Sequence, residues 1–408
     1  MAMDFSLTQD QARLAQDARD FARDVLSRVR DTTAHLATPE ARFAATRTFY
    51  EQAIAAGFLQ RLIPVHCGGG GNGLVDMAVV AEVFYAADVN VSLTLFANLL
   101  GLMPLFLAGS DAQRARWLTP FLSRSGAPLA ALANSEPGGS ANYASGVAGG
   151  GTRTVARRDG DEWVIDGAKQ WVSSATGWDG QGADLLCVVC RSDDDAPPER
   201  ALSVFALPRQ PGSVVLERAF DTLGHRAHLV PRFRIQGARV PADHVIGELG
   251  GGKALVDASF TGTAALVGVM GAALSQAAFD FALDFARRET RGGAQPIIEH
   301  QAVGYALADA KSAIEAIRSL AWRACWAMDA QTPDAYELAL HSKIFGSETA
   351  VRVITDLMRV VGIDSYDHTL PLAGFLQDAL ALPLFDGGNM GVRRRQLHDL
   401  FRTPGSPA

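Results

Sequence analysis

The spacing of apolar residues changes texture twice along this chain. Over roughly residues 6–125 apolar positions recur every three or four residues, as in Leu14, Ala18, Phe21, Ala22 and Val25, which is the period of one helix face. Ser6 and Thr8 stand before Gln9 to Val29 as start signals. Further helices are expected over 43–56 (ended by Gly57), from 74 through 83, and over 91–107. The last is apolar all round, which suits a helix covered on every side. Between them, His66 to Gly73 is glycine-rich but lacks the Lys-Ser/Thr pair of a phosphate loop and follows no clear parallel strand, so it reads as a flexible connection.

From about residue 130 to 245 the pattern shortens to strand-sized runs, over 152–157, 162–165, 185–190, 202–207, 214–216 and 233–235. Turn residues such as Asp159-Gly160, Asp166-Gly167 and Pro211-Gly212 separate them. This predicts a small antiparallel barrel or sandwich inserted between helical zones. From Gly250-Gly251-Gly252 onward long helical patterns return, over 255–287, 297–328 and 334–361, with a shorter one over 370–381. The expected fold class is α+β: an N-terminal helical domain (1–128), a central antiparallel β-barrel domain (129–246) and a C-terminal helical bundle (247–408). The tail, 403–408, reads as frayed.

Composition narrows the function classes. With 48% hydrophobic and 20% charged residues the chain is ordinary globular material, and a net charge of −7 argues against a nucleic-acid groove or an anionic membrane surface. No basic-then-apolar leader is read at the N-terminus, and charges or turn residues interrupt every long apolar run, so a cytoplasmic protein is expected. Four scattered cysteines make no disulfide framework. Cys187 and Cys190 form a lone CxxC in an apolar run, where a strand would point them to opposite faces; core packing is expected and no metal site is read.

The most chemically suggestive stretch runs from Leu382 to Arg395. Asp386 follows four apolar residues, precedes Gly387 and Gly388, and has Arg393, Arg394 and Arg395 about two turns beyond. A carboxylate among apolar neighbours loses hydration and gains basicity. Glycines let a flat ligand come close to the backbone. If helix resumes after them, Asp386 and Arg393 share a face, a general base steadied by a guanidinium. The plainer alternative is a loop between helices with Asp386 as N-cap, and a solvated face for Arg394 and Arg395.

Several motifs together resemble the acyl-CoA dehydrogenase superfamily of flavoproteins. The run Leu132-Ala133-Asn134-Ser135-Glu136-Pro137-Gly138-Gly139-Ser140 is similar to that superfamily's flavin loop. Lys169-Gln170-Trp171-Val172-Ser173-Ser174 is similar to the strand whose tryptophan covers the isoalloxazine, although Trp171 taken alone reads as a core residue. Arg291-Gly292-Gly293 with His300-Gln301 resembles the segment that contacts the FAD pyrophosphate of a neighbouring subunit. Arg359 stands where many members carry glutamine. Phe385-Asp386-Gly387-Gly388, where dehydrogenases commonly have a glutamate, resembles the nitroalkane oxidase branch, and Thr263 stands where that branch has a serine near the flavin.

The resemblance implies FAD as cofactor, held by Leu132, Asn134, Ser135, Ser140, Trp171, Ser173, Gly387 and Gly388, with Arg291, His300, Gln301 and Arg359 serving it across a homotetramer. It implies a neutral nitroalkane as substrate, Asp386 removing its α-proton, Arg393 as partner of Asp386, Thr263 nearby, and O2 as final acceptor, with release of nitrite and hydrogen peroxide. Two alternatives stay open: an acyl-CoA dehydrogenase or oxidase using Asp386 on a thioester, and a flavoprotein or helical scaffold without turnover.

Overall fold

The computed structural model describes residues 6–147 and 149–402, so the tail 403–408 lies outside the described residues. The N-terminal region is helical: α1 Gln9–Asp24, α2 Val29–Thr33, α3 Pro39–Ala55, α4 Phe58–Leu62, α5 Leu74–Ala87, α6 Val89–Ala108, α7 Asp111–Trp117 and α8 Thr119–Leu122. Helix starts follow side-chain chemistry. Thr8 and Gln11 make a reciprocal capping box on α1, Thr38 caps α3 with Pro39 at its first position, and the Asp88 carboxylate accepts from the Val91 amide to start α6. The helix expected to reach Val29 breaks after Asp24 into a short 3₁₀ turn before α2.

The Gly-rich connection is strapped rather than loose. Gly70 and Gly71 donate to the carbonyls of Gln60 and Ile63, and a Cβ at Gly69 would lie 2.1 Å from the Ile63 carbonyl oxygen. Glycine is needed there for close backbone approach, not for mobility.

Among the described residues eight strands form one sheet: β1 Ala130–Ala133, β2 Val155–Asp159, β3 Glu162–Gln170, β4 Leu185–Arg191, β5 Leu202–Pro208, β6 Val214–Ala219, β7 Pro231–Pro241 and β8 Val245–Ile246. The path runs β6-β7-β3-β2-β4-β5-β8, with β1 alongside β4. Most pairs are antiparallel as expected, but β1 pairs β4 in parallel and β2 meets β4 in parallel at Val155–Arg191, so the sheet is mixed. The first six residues of β4 are all buried, and Cys187 and Cys190 are core residues whose thiols burial pushes well above their usual range.

The C-terminal bundle comprises α9 Gly252–Arg288, α10 Gln301–Asp329 and α11 Ala335–Val361. Behind it come α12 Pro371–Ala379, a π-helical turn over Asn389–Arg393, and α13 Arg394–Arg402. Helices α9 and α11 cross unusually close, because a Cβ at Gly268 would sit 2.1 Å from the Ser342 hydroxyl oxygen and one at Gly346 2.7 Å from the Gly268 Cα. This contact fixes two helices that each send one side chain, Thr263 and Lys343, to the loop carrying Asp386.

Contrary to the reading that every apolar run is interrupted, α6 and α9 are long and apolar enough to cross a membrane, with mean hydropathy 1.9 and 1.5. In this fold 72% of each such window is buried inside the protein. Their apolar surface is consumed by packing against the bundle and β1.

Candidate active site

One cavity of about 1290 Å³ opens where the three regions meet. That exceeds the ~300–1,000 Å³ of ordinary small-ligand sites, leaving room for two ligands side by side. Its walls come from the end of β1 (Leu132, Asn134, Ser135, Ser140), the turn after β3 (Trp171, Ser173), the loop between β6 and β7 (Phe220, Leu223, His225, His228), Thr263 on α9, and Asp386, Gly387, Gly388 and Arg393.

Asp386 sits on the loop between α12 and the π turn in the left-handed region, at φ 52°. That conformation costs a non-glycine residue about 1–3 kcal/mol and persists only where the surroundings impose it. Its carboxylate is 6% exposed. The Thr263 hydroxyl donates to Oδ1 at 2.7 Å. Arg393, 1% exposed, does more for the backbone than for the carboxylate. Its Nε and Nη2 donate to the Asp386 carbonyl at 3.0 and 2.6 Å and Nη2 to the Phe260 carbonyl at 3.0 Å, while Nη2 reaches Oδ2 only at 3.3 Å.

Three expectations change accordingly. Asp386 is no N-cap: the residue capping the π turn is Gly388, with no side-chain bond, and Asp386 faces Thr263. The pair with Arg393 forms by the guanidinium folding back from a π turn, not along one α-helical face. A Cβ at Gly387 would lie 2.9 Å from Arg393 Nε, so this glycine, at φ 73°, makes room for the guanidinium rather than for a flat ligand. Arg394 and Arg395 are exposed as expected, yet both are engaged: Arg394 pairs with Glu348, and Arg395 bonds Asn142 Oδ1 at 2.9 Å, tying α13 to the loop after β1.

The opposite wall suits a flavin. Trp171 is 51% exposed and stacked on Phe220 at 4.0 Å between centroids, so the indole is no core residue. Asn134 Oδ1 is buried without a partner, an acceptor waiting for a ligand N–H or O–H. Ser135, Ser140 and Ser173 add hydroxyls at the cavity surface. The loop holding them is pinned from behind. Lys169, fully buried, donates to Glu136 at 2.9 Å and to the Asn134 and Val189 carbonyls, and Glu136 accepts from the Arg153 and Thr154 amides. Residues of this kind, with an exposed π-face and free acceptors, fit an isoalloxazine ring.

The remaining predicted residues lie outside this cavity. Arg291 pairs with Asp364 and donates to the Val361 carbonyl, Arg359 pairs with Asp356 at 2.6 Å, and His300 and Gln301 are exposed, with Gln301 bonded to Tyr305. They do not converge on the Asp386 site of their own chain.

Sequence reasoning missed two groups. One is Lys343, completely buried on α11, which donates to the Leu382 carbonyl and to Asn389 Oδ1 (3.2 Å); burial pulls it down to about 7 against the opposing charges of Asp386 and Glu348. A cation three residues before Gly346 on an otherwise uncharged face was the available signal. The other is a polar network behind the loop between β6 and β7. Tyr85 bonds His225, and the His225 amide donates to Asp378 at 2.6 Å. Thr94 bonds His228 Nδ1 at 3.1 Å, and His228 Nε2 is buried without a partner. Burial pulls the two histidines down to about 4 and about 3, keeping them neutral, and pushes Asp378 up to about 7, with Asp88 adding to the rise.

The sign of the Asp378 effect is testable. The folded protein keeps a proton that the unfolded chain releases near its ordinary value of 3.8, so stability from this group is present below that value and lost as pH rises to about 7. Asp378→Asn keeps the acceptor oxygen and cannot ionise. Its melting temperature relative to wild type should therefore climb between pH 5 and pH 8; a constant offset would mean Asp378 ionises normally.

Thr263→Ala removes one hydrogen bond to the Asp386 carboxylate, worth about 1 kcal/mol or somewhat more. Turnover that uses the Asp386 carboxylate should slow roughly tenfold, since each 1.4 kcal/mol is a factor of ten, with the melting temperature falling by no more than a few degrees. Unchanged kinetics would take Thr263 out of the site.

The three regions match three family descriptions: "Acyl-CoA dehydrogenase, N-terminal domain" over residues 8–125, "middle domain" over 131–237, and "C-terminal domain" over 250–399. The chain belongs to this acyl-CoA dehydrogenase family. Within the family it is similar to nitroalkane oxidases. It is 41% identical to the nitroalkane oxidase of Podospora anserina, over 99% of this chain and 97% of that protein, and 36% identical to that of Fusarium oxysporum, over 97% and 94%. A solved nitroalkane oxidase, an active-site Asp-to-Asn variant crystallized with 1-nitrooctane, superposes with a TM-score of 0.95 at 34% identity, covering 99% of this chain and 98% of that one.

Proposed function

We propose that this protein is an FAD-dependent nitroalkane oxidase in which Asp386 is the general base. The observation that carries the reading is a nearly buried carboxylate, fixed by Thr263 and Arg393, facing a cavity whose other wall suits a flavin. That carboxylate stands on a chain similar throughout to nitroalkane oxidases, one of them crystallized as an active-site aspartate variant with a nitroalkane.

FAD, when bound, supplies the two-electron acceptor that O2 later reoxidises. The chain's own residues do the rest. The α-proton of a nitroalkane is acidic because the nitro group spreads the resulting charge, and Asp386 takes it. Thr263 donates to Oδ1, and Oδ2, with only the longer 3.3 Å contact to Arg393, keeps a lone pair to receive the proton. Arg393 holds the backbone that aims it. The apolar surfaces of Phe96 and Leu266 suit an alkyl chain rather than a charged one. The net reaction for a primary substrate balances as nitroalkane, O2 and water giving aldehyde, nitrous acid and hydrogen peroxide. Arg291, His300, Gln301 and Arg359, unused in the cavity of their own chain, fit service to the FAD pyrophosphate of a neighbouring copy in a homotetramer.

The test is an assay of the purified yellow protein with nitroethane, nitrohexane and octanoyl-CoA, reading nitrite and peroxide. Both nitroalkanes should give equal amounts of the two products. Oxidation of octanoyl-CoA without nitrite would move the protein to the dehydrogenase reading.

A further inference from the structure

Lys343 is a charge-bearing side chain that the reaction above does not use, and the fold has buried it completely beside the base. It projects from the middle of α11, anchored by the close crossing at Gly268 and Gly346. Its ammonium donates to two points on the loop carrying Asp386, the Leu382 carbonyl four residues before the aspartate and Asn389 Oδ1 three residues after it. Between those points the Phe385 ring lies 5.8 Å from Nζ. Asn389 is in turn fixed to the same helix, its amide donating to Ser347 and Glu348 at 3.0 Å each.

We infer that Lys343 is a positioning residue for the base: it closes the segment 382–389 into a staple on α11 and so holds Asp386 in its left-handed conformation. Two arguments support this beyond the contacts. A left-handed aspartate relaxes unless both flanks are fixed; Arg393 reaches the Asp386 and Phe260 carbonyls and Gln396, and the Asn389 amide closes the loop on the Pro383 carbonyl, but none of these bonds ties the loop's two flanks to α11. A fully buried lysine is costly, so its presence on an otherwise uncharged face needs compensation that the two acceptors supply. Both amine forms keep N–H donors, so the staple survives loss of the charge.

The inference rests on the proposed base role of Asp386, and the experiment separates the two. In Lys343→Met, amide hydrogen exchange of peptides covering 382–393 should quicken at least tenfold while peptides of α5 and β4 keep wild-type protection. This readout needs no substrate. In the holoenzyme, kcat/KM for neutral nitroethane should fall at least tenfold, whereas ethyl nitronate, which has already lost its proton, should change less than threefold. Asn389→Ala, which keeps the lysine and deletes one acceptor, should move both readouts the same way by a smaller factor, and it carries the test if Lys343→Met does not fold. Wild-type exchange in both variants, or equal losses on nitroethane and nitronate, would overturn the positioning role. A wild-type enzyme without nitroethane turnover would instead sink the proposed function, leaving the exchange data to judge the staple.

Discussion

In Asp386→Asn, turnover of neutral nitroethane should fall by roughly 10²–10⁴-fold, the usual contribution of a positioned general base, while ethyl nitronate should still reduce the flavin at near the wild-type rate. The substitution is nearly isosteric and keeps an oxygen to accept from Thr263 and a backbone carbonyl for Arg393, so the loop should keep its shape. What it removes is the ability to take a proton at neutral pH. A nitronate anion needs no such step. Stopped-flow flavin absorbance with each substrate, beside a thermal melt, reads the prediction. Equal losses on both substrates would point to a disturbed flavin wall, and equal retention would put the base elsewhere. Octanoyl-CoA oxidation by the wild type, abolished in the variant, would assign Asp386 to thioester chemistry.

Much of this site was legible in the sequence because its parts are local. Asp386, Gly387 and Arg393 fall within eight residues, so spacing alone grouped them, while Trp171 and Ser173, just beyond the end of one strand, were joined to them only by the resemblance to the family's motifs. The helices were legible for a similar reason: apolar period and capping residues are short-range signals, and α1 and α6 start behind Thr8 and Asp88 within two residues of the expected places, whereas α3 starts at Pro39, four residues before the expected 43. What escaped was long-range. Strand β1 is Ala-Ala-Leu-Ala, too short and too poor in β-branched residues to announce itself, and its parallel partner lies 55 residues away. Lys343 meets its two acceptors 39 and 46 residues later, and the Tyr85–His225 bond spans 140. No local pattern encodes those pairings; only the packing of α9 on α11 and of the loop between β6 and β7 on α5 does. The role of Gly387 was misassigned for the same reason, because the space beside a glycine is defined by what folds into it, here the Arg393 guanidinium.

That guanidinium sets up the second large effect. Arg393→Met should cost several kcal/mol of stability as well as activity, because removing one member of a buried ion pair is worth about 3–5 kcal/mol and here it also strips donors from the Asp386 and Phe260 carbonyls. The melting temperature should drop by several degrees, and kcat/KM for nitroethane should fall at least a hundredfold, the loss exceeding that on ethyl nitronate. Arg393→Lys separates charge from geometry. An ammonium keeps the positive charge but cannot present the planar fork that reaches two carbonyls and the carboxylate together. If the grip on the backbone is what matters, as the 2.6 Å bond to the Asp386 carbonyl against 3.3 Å to its carboxylate argues, the lysine variant should recover little of either quantity. Full recovery would mean that a point charge beside Asp386 suffices and that the backbone clamp is incidental. A methionine variant with a wild-type melting curve would show that the loop keeps its strained aspartate without any help from position 393.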